Sequence, residues 1–351
     1  MAFAVCRNHT ATGGPSGLKL NSLRGSLWLP IEAEMDMRKV GGGRNFGWGK
    51  QMEWAGKQAL RAAFGGGHYG TVASHTARWR KFCAWAREQG VRDARDVSRS
   101  ELAQFAEHLS QQTGKGMSNG YAKNQLTSVN VALESLRGDR ALWVRPSDYI
   151  GQRSSVRTDA PVGLDRERLQ PVIENLVAQG KERVVAVAML CREFGLRRKE
   201  ASLLDLRLAS HQAGRLGRIN VVAGTKGGRG RSVDRWVPAT DAGRHAIHFA
   251  EGAAEGNANL VPAGGDLAQW LTYVSKHWSR SANPLNGGSL RDLRAAYACD
   301  RYTHLTKAPA PVIAGQRIAN TAVDQAARQE LSQELGHRRT TVLVSYIGSS
   351  R

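Results

Sequence analysis

The chain has 351 residues, 41% of them hydrophobic, a length and apolar content suited to two domains with real cores and an extension. Its formal net charge of +20, from 50 Lys and Arg against 30 Asp and Glu, points to a polyanionic partner, of which nucleic acid is the commonest. Cys6, Cys83, Cys191 and Cys299 are far apart and no apolar run approaches a membrane span, which argues against a disulfide scaffold, a structural zinc module and a membrane protein.

In chain order, residues 1–36 come first. They are Gly/Ser-rich, carry three basic and three acidic groups and show no sustained period. They read as a poorly ordered extension, with the natural start expected at Met35 or Met37. No charged-then-apolar signal pattern opens the chain, so a cytoplasmic protein is expected. Residues 37–66 change character. Arg38, Lys39, Arg44, Lys50, Lys57 and Arg61 face a single acid, Glu53, and are interleaved with Phe46, Trp48, Trp54 and Phe64. Such a segment can track a phosphate backbone, or it can be an amphipathic helix that packs its tryptophans on the next domain.

Residues 67–147 read as a small helical domain. Val72, Trp79, Phe82, Cys83 and Ala86 fall at helical spacing. Ser98 and Glu101 form a capping box ahead of Leu102, Phe105 and Leu109, and Leu126, Val129, Leu133 and Leu136 mark a further helix. These stripes are core. The apolar period fades in 148–158, where Gly151, two serines and two arginines suggest a linker. Residues 159–351 are again mainly helical, interrupted by two expected strands, Ile219 to Ala223 and Val233 to Val237, joined by the glycine-rich basic tip Gly224 to Arg231. The 37–158 block holds 20 basic against 9 acidic residues and the 159–351 block 27 against 18, so both are basic.

Four segments in the last block could carry chemistry: Gly195-Leu196-Arg197-Arg198-Lys199-Glu200, the Lys226 hairpin, Leu290-Arg291-Asp292-Leu293-Arg294 with Tyr297, and Glu334-Leu335-Gly336-His337 followed by Tyr346. Taken singly, each has a plainer reading. Arg197 and Arg294 could be surface arginines, Lys226 a solvated loop lysine, His337 a helix cap and Tyr346 a core tyrosine. Their order and spacing change this. Together they resemble the tyrosine recombinase family, the phage-type integrases, whose catalytic domain carries an arginine in a "GLR..E..L" segment and a lysine in a β-hairpin turn. An "HxLR" helix and an "LGH" turn follow, then a tyrosine nine residues beyond that histidine. Arg197, Lys226, Arg294, His337 and Tyr346 stand at those places, and the segment "NFGWGKQMEWAGKQAL" looks like a proteobacterial subgroup.

The resemblance implies a mainly α fold with a small antiparallel β-sheet, built as a two-domain C-shaped clamp on duplex DNA. Residues 67–147 would form the core-binding domain and 159–351 the catalytic domain. It also implies roles. Arg197 and Arg294 would hold the scissile phosphate with planar forks that stay charged at any working pH. His337 would donate a third hydrogen bond, Lys226 would protonate the leaving 5′-oxygen, and Tyr346 would attack, helped to ionise by nearby positive charge. Tyr297 and Tyr302 are the replacements for Tyr346 should it not be the nucleophile. Arg38, Lys39, Arg44, Lys50, Arg229 and Arg231 would contact DNA. No metal and no cofactor are expected. The expected partners are a double-stranded recombination site, a tetramer of the chain itself on DNA, and an accessory DNA-bending or directionality factor.

Two features depart from the family pattern. Arg291 stands where the "HxLR" histidine is usual; it can clamp phosphate but cannot exchange protons near neutral pH. Only five residues follow Tyr346, where many relatives carry a longer tail. The rival readings are a catalytically weak DNA-binding relative, a dimer-resolving recombinase, a type IB topoisomerase and a general RNA-binding protein. The last explains the charge but not the spacing.

Overall fold

The computed structural model describes residues 42–337 and 339–350. The extension 1–36, Cys6, Arg38 and Lys39 lie outside the described residues. The chain divides into two compact units, the first ending at Arg153 and the second beginning at Ser154.

The first unit is helical. Helix α1 (Met52–Phe64) buries Met52, Ala55, Ala59 and Leu60, one face at 3–4 residue spacing. It crosses α2 (Tyr69–Glu88) at Gly56, where a Cβ would lie 2.1 Å from Trp79 Nε1; the indole instead donates to the Met52 carbonyl at 3.0 Å. Helix α3 (Arg99–Thr113) starts at the capping box, with the Ser98 N–H donating to Glu101 at 2.9 Å. Helix α4 (Asn119–Arg137) contributes Leu126, Val129, Leu133 and Leu136 to the core, and the short α5 (Pro146–Tyr149) follows. Phe46 is buried and Trp48 Nε1 donates to the Leu136 carbonyl at 3.3 Å, whereas Trp54, Arg44 and Lys50 remain exposed.

The second unit is built around α7 (Glu182–Phe194), which follows α6 (Gln170–Ala178). Val184, Val185, Val187, Leu190 and Cys191 bury α7 on most sides, so neighbours surround it. The short α8 (Arg198–Ser202) and α9 (Leu206–Leu216) lead to strand β1 (Arg218–Asn220). After β2 (Trp236–Pro238) come α10 (Asp241–Ala254), α11 (Leu267–Ala282) and α12 (Leu290–Thr306). The last three helices are α13 (Pro311–Ala314), α14 (Thr321–Glu334) and α15 (Val344–Ile347). Asp205, Thr240, Asp266, Ser289 and Asn320 cap α9, α10, α11, α12 and α14 through their side-chain oxygens. Helix α12 packs on α7, α14 and α15, and thereby joins three of the four segments that the sequence singles out, all but the Lys226 loop.

The sheet is smaller than expected. Strands β1 and β2 pair antiparallel, Ile219 opposite Val237, with three residues each instead of five. The segment between them is not an extended hairpin. Lys226–Arg231 coils into a 3₁₀ turn, because Gly227 (φ 72°) and Gly228 (φ 71°) take left-handed conformations that end a ladder. The chain then folds back so closely on Val222 that a Cβ at Gly230 would lie 2.2 Å from its carbonyl oxygen.

Candidate active site

The site begins with a glycine. Gly195 ends α7 in the left-handed region (φ 59°), and a Cβ there would lie 2.4 Å from the Tyr297 ring and 2.9 Å from the Leu335 side chain. The turn aims the next residues at α12. Arg197 donates its backbone N–H to Glu200 Oε2 at 2.7 Å and its Nη1 to Glu200 Oε1 at 2.6 Å. Glu200 is wholly buried. It also meets Arg235 Nη1 at 2.9 Å and lies 3.6 Å from Arg294 Nη1. Three guanidiniums thus surround one carboxylate. Burial alone would raise the Glu200 pKa, but Arg235, Arg197 and Arg294 outweigh it and bring it down to about 2.

Arg294 is the centre of the cluster and is 2% exposed. Its Nη2 donates to the Leu335 carbonyl at 2.6 Å and its Nη1 to the Gly195 carbonyl. Its Nε donates to the Tyr346 hydroxyl at 3.3 Å, and the guanidinium sits over the Tyr346 ring at 5.4 Å. Burial, with the like charges of Arg197 and Arg235, lowers the Arg294 pKa to about 10, which still leaves it cationic at neutral pH.

His337 follows the positive-φ Gly336. Its backbone N–H donates to the Ser332 carbonyl at 2.7 Å, and its ring lies 5.7 Å from that of Tyr346. His337 Nε2 is 3.4 Å from Arg294 Nη2. Arginine has no acceptor, so Nε2 accepts here and the ring proton sits on Nδ1. Burial, then the charges of Arg294, Arg197 and Arg235, bring the imidazole pKa down to about 4, so His337 is neutral near pH 7.

Tyr346 is buried on α15, and its backbone carbonyl accepts from the Cys299 thiol at 3.7 Å. A cavity of about 510 Å³ is lined by Arg197, Arg291, Arg294 and Tyr346, with Leu196 and Trp278 among its apolar walls. Arg291 is exposed at this cavity. A larger cavity of about 850 Å³, beside Trp270 and Tyr273, contains none of these residues. The cations and the hydroxyl converge in the smaller one.

The structure therefore brings together Arg197, Arg294, His337 and Tyr346, with Arg291 at the edge. It does not bring in Lys226, which is exposed and pairs with no described residue. Its loop approaches the site at Gly224, where a Cβ would lie 2.7 Å from the Lys199 carbonyl oxygen. Arg229 and Arg231 are exposed on the same turn. Two members were not foreseen as site residues: Glu200 as the shared counter-ion, and Arg235, which also donates to the Glu334 carbonyl at 2.7 Å. Strand alternation could have found Arg235. It shares the inward face with Val237, and a charge on a buried face needs a partner. The arrangement is a buried, cationic pocket holding one hydroxyl, suited to an anion with a tetrahedral centre open to attack.

No curated protein matches the chain. Residues 151–300 match a family model described as "Integrase", a span that includes Arg197, Lys226 and Arg294 and stops before His337 and Tyr346. Among solved structures, a lambda integrase dimer bound to a COC′ core site is similar in fold: TM-score 0.53, 15% identity, covering 84% of this chain and 75% of that one. A lambda integrase(75–356) dimer bound to a COC′ core site gives a TM-score of 0.53 at 16% identity, over 86% of this chain and 95% of that one. The family match thus lies on the segments that carry Arg197, Lys226 and Arg294, and the fold around them is similar to that of the lambda integrase structures.

Proposed function

We propose that the chain is an active site-specific DNA recombinase that integrates or excises a mobile element through a 3′-phosphotyrosyl intermediate. The observation that carries this reading is the Tyr346 hydroxyl held 3.3 Å from a buried arginine in a cavity shared with Arg197. In the proposed step Tyr346 loses its phenolic proton to solvent water under the pull of the nearby positive charge, its Oη attacks the scissile phosphorus, and the bond from phosphorus to the 5′-oxygen breaks. Arg197 and Arg294 hold the non-bridging oxygens, with Arg291 a further clamp at the rim. Lys226 protonates the leaving 5′-oxygen once its loop swings onto bound DNA. Reversal of the step on a different 5′-hydroxyl joins new partners without an energy source. The substrate is a duplex recombination site gripped by both basic blocks, Arg44, Lys50, Arg229 and Arg231 among the contacts, with the chain assembled as a tetramer and assisted by a DNA-bending or directionality factor. Residues 67–147 act as the core-binding domain and 159–351 as the catalytic domain.

The test is covalent trapping. The full chain is incubated with nicked fragments of the genome that encodes it, denatured, and digested for mass spectrometry. The expected product is a nucleotide-bearing peptide containing Tyr346, and the trapped DNA defines the site. Non-covalent retention without an adduct would instead indicate a DNA-binding relative that does not cut.

Two further outcomes are expected with that site in hand. Lys226→Ala should cut ordinary DNA about 10²–10⁴-fold more slowly, the usual range for a lost general acid. It should recover on a duplex whose bridging 5′-oxygen is sulfur, a leaving group that needs little protonation. Equal defects on both substrates would reduce Lys226 to a phosphate contact. His337 should take up a proton on binding. In the free chain its Nε2 is an acceptor, so donation to phosphate needs either the Nε2–H tautomer or the imidazolium, and the bound anion favours the imidazolium. Between its free value of about 4 and the ordinary 6.5, binding should therefore bring net proton uptake. Calorimetry at pH 6 in buffers of different ionisation heat should show it, and His337→Gln should abolish it. A buffer-independent heat in the parent chain would show that His337 stays neutral on DNA.

A further inference from the structure

Helix α15 is only four residues long, too short to hold itself, since a first helical turn fixes more backbone than its hydrogen bonds repay. Its placement, and with it that of Tyr346, is set by what grips it from outside. At its far end Arg328 donates to the Ser349 carbonyl at 3.0 Å. At its near end the grip comes from a residue of the segment that enters the second unit. The Arg157 backbone N–H donates to the Val344 carbonyl at 2.8 Å, two residues before Tyr346. The Arg157 guanidinium turns the other way and pairs with Asp292, two residues before Arg294 on α12. Asp292 is held in turn by the Gly163 N–H at 3.1 Å, and Arg157 Nε by the Asp159 carbonyl at 2.7 Å. One residue therefore touches both the helix of the candidate nucleophile and the helix of its arginine partner.

We infer that Arg157 is a positioning residue for the transesterification, fixing the register of α15 against α12 so that the Tyr346 hydroxyl meets the phosphate held by Arg294. This rests on the reading of Tyr346 as nucleophile. Arg157 itself contacts no reacting atom. Its position four residues past Arg153, where the first unit ends, makes the connecting segment part of the catalytic geometry.

The full chain, Arg157→Ala and Arg157→Lys are compared by two measurements. Hydrogen exchange without DNA, read on the peptide spanning residues 342–349, should be about tenfold faster in Arg157→Ala, as for the loss of one to two hydrogen bonds' worth of local restraint. The peptides of α7 and the thermal midpoint should be unchanged. Single-turnover cleavage of the trapped site, as a nicked duplex at saturating concentration, should be slower by on the order of 100-fold, as expected for a misplaced reacting group, with affinity kept within about twofold. Arg157→Lys, which keeps a cation for Asp292, should lie between. Unchanged exchange at 342–349 overturns the inference whatever the enzyme does. So does cleavage at the parent rate, or a loss that affinity and thermal midpoint share in proportion. If the parent chain itself forms no adduct, the nucleophile reading fails, and the exchange measurement alone decides whether Arg157 positions α15.

Discussion

Tyr346→Phe is expected to bind the recombination site with the affinity of the parent chain and to form no covalent adduct. The substitution removes one oxygen from a residue that is 6% exposed and keeps the ring beneath the Arg294 guanidinium, so packing survives. What it loses is the oxygen proposed to attack, and the nearby tyrosines are poorly placed to replace it. Tyr297 donates to Glu334 at 2.8 Å and Tyr302 to Asp324 at 2.7 Å, and both hydroxyls are buried. Burial, then the adjacent carboxylates, push both phenols up, away from the phenolate a nucleophile needs. Denaturing electrophoresis after incubation with a nicked duplex reads the result. A trapped adduct in Tyr346→Phe would remove Tyr346 from the mechanism.

Glu200→Gln is expected to destabilise the second unit by about 3–5 kcal/mol, the usual cost of stranding buried charge by removing its partner. Glu200 is wholly buried among Arg197, Arg235 and Arg294, and without it three guanidiniums repel one another. Acid should have the same effect. The folded-state pKa of about 2 lies below the ordinary 4.5, so the stabilisation is complete above pH 4.5 and is lost as pH falls towards 2. Denaturant unfolding of the parent and the variant at pH 7 and pH 3 checks both statements. The gap between them should narrow at pH 3. A variant as stable as the parent at pH 7 would mean that solvent or bound anions, and not Glu200, neutralise the cluster.

Much of this was legible in the sequence. The helices of the first unit follow from apolar spacing, and the Ser98–Glu101 box starts α3 where its residues say it should. Arg197, Arg294, His337 and Tyr346 stand out by order and interval, and the fold carries them to one pocket. Three things were not legible. Glu200 was visible as part of a motif, but nothing local reveals that Arg235 and Arg294, both distant in sequence, share it with Arg197. The Lys226 segment has the composition of a hairpin tip, whereas left-handed glycines and a close return onto Val222 coil it. Arg157 looks like an ordinary linker arginine, since its partners on α12 and α15, Asp292 and Val344, are more than 130 residues away.

The surroundings of Arg294 also bear on how the pocket treats small ions. A guanidinium has five N–H bonds. In the free chain one faces Tyr346, one the Gly195 carbonyl and two the Leu335 carbonyl and His337; the remaining Nη1 hydrogen is on the side of Glu200. Nothing is left over. An incoming anion has to evict the tyrosine hydroxyl or the imidazole before it gains a hydrogen bond from Arg294, and there it recovers about as much as it displaces. Inorganic phosphate or sulfate, arriving alone, gains little from that exchange. A phosphate embedded in a long duplex, anchored by contacts elsewhere, can force it. At Arg294, then, discrimination between a small ion and a duplex phosphate needs no steric exclusion, because its donors are already engaged.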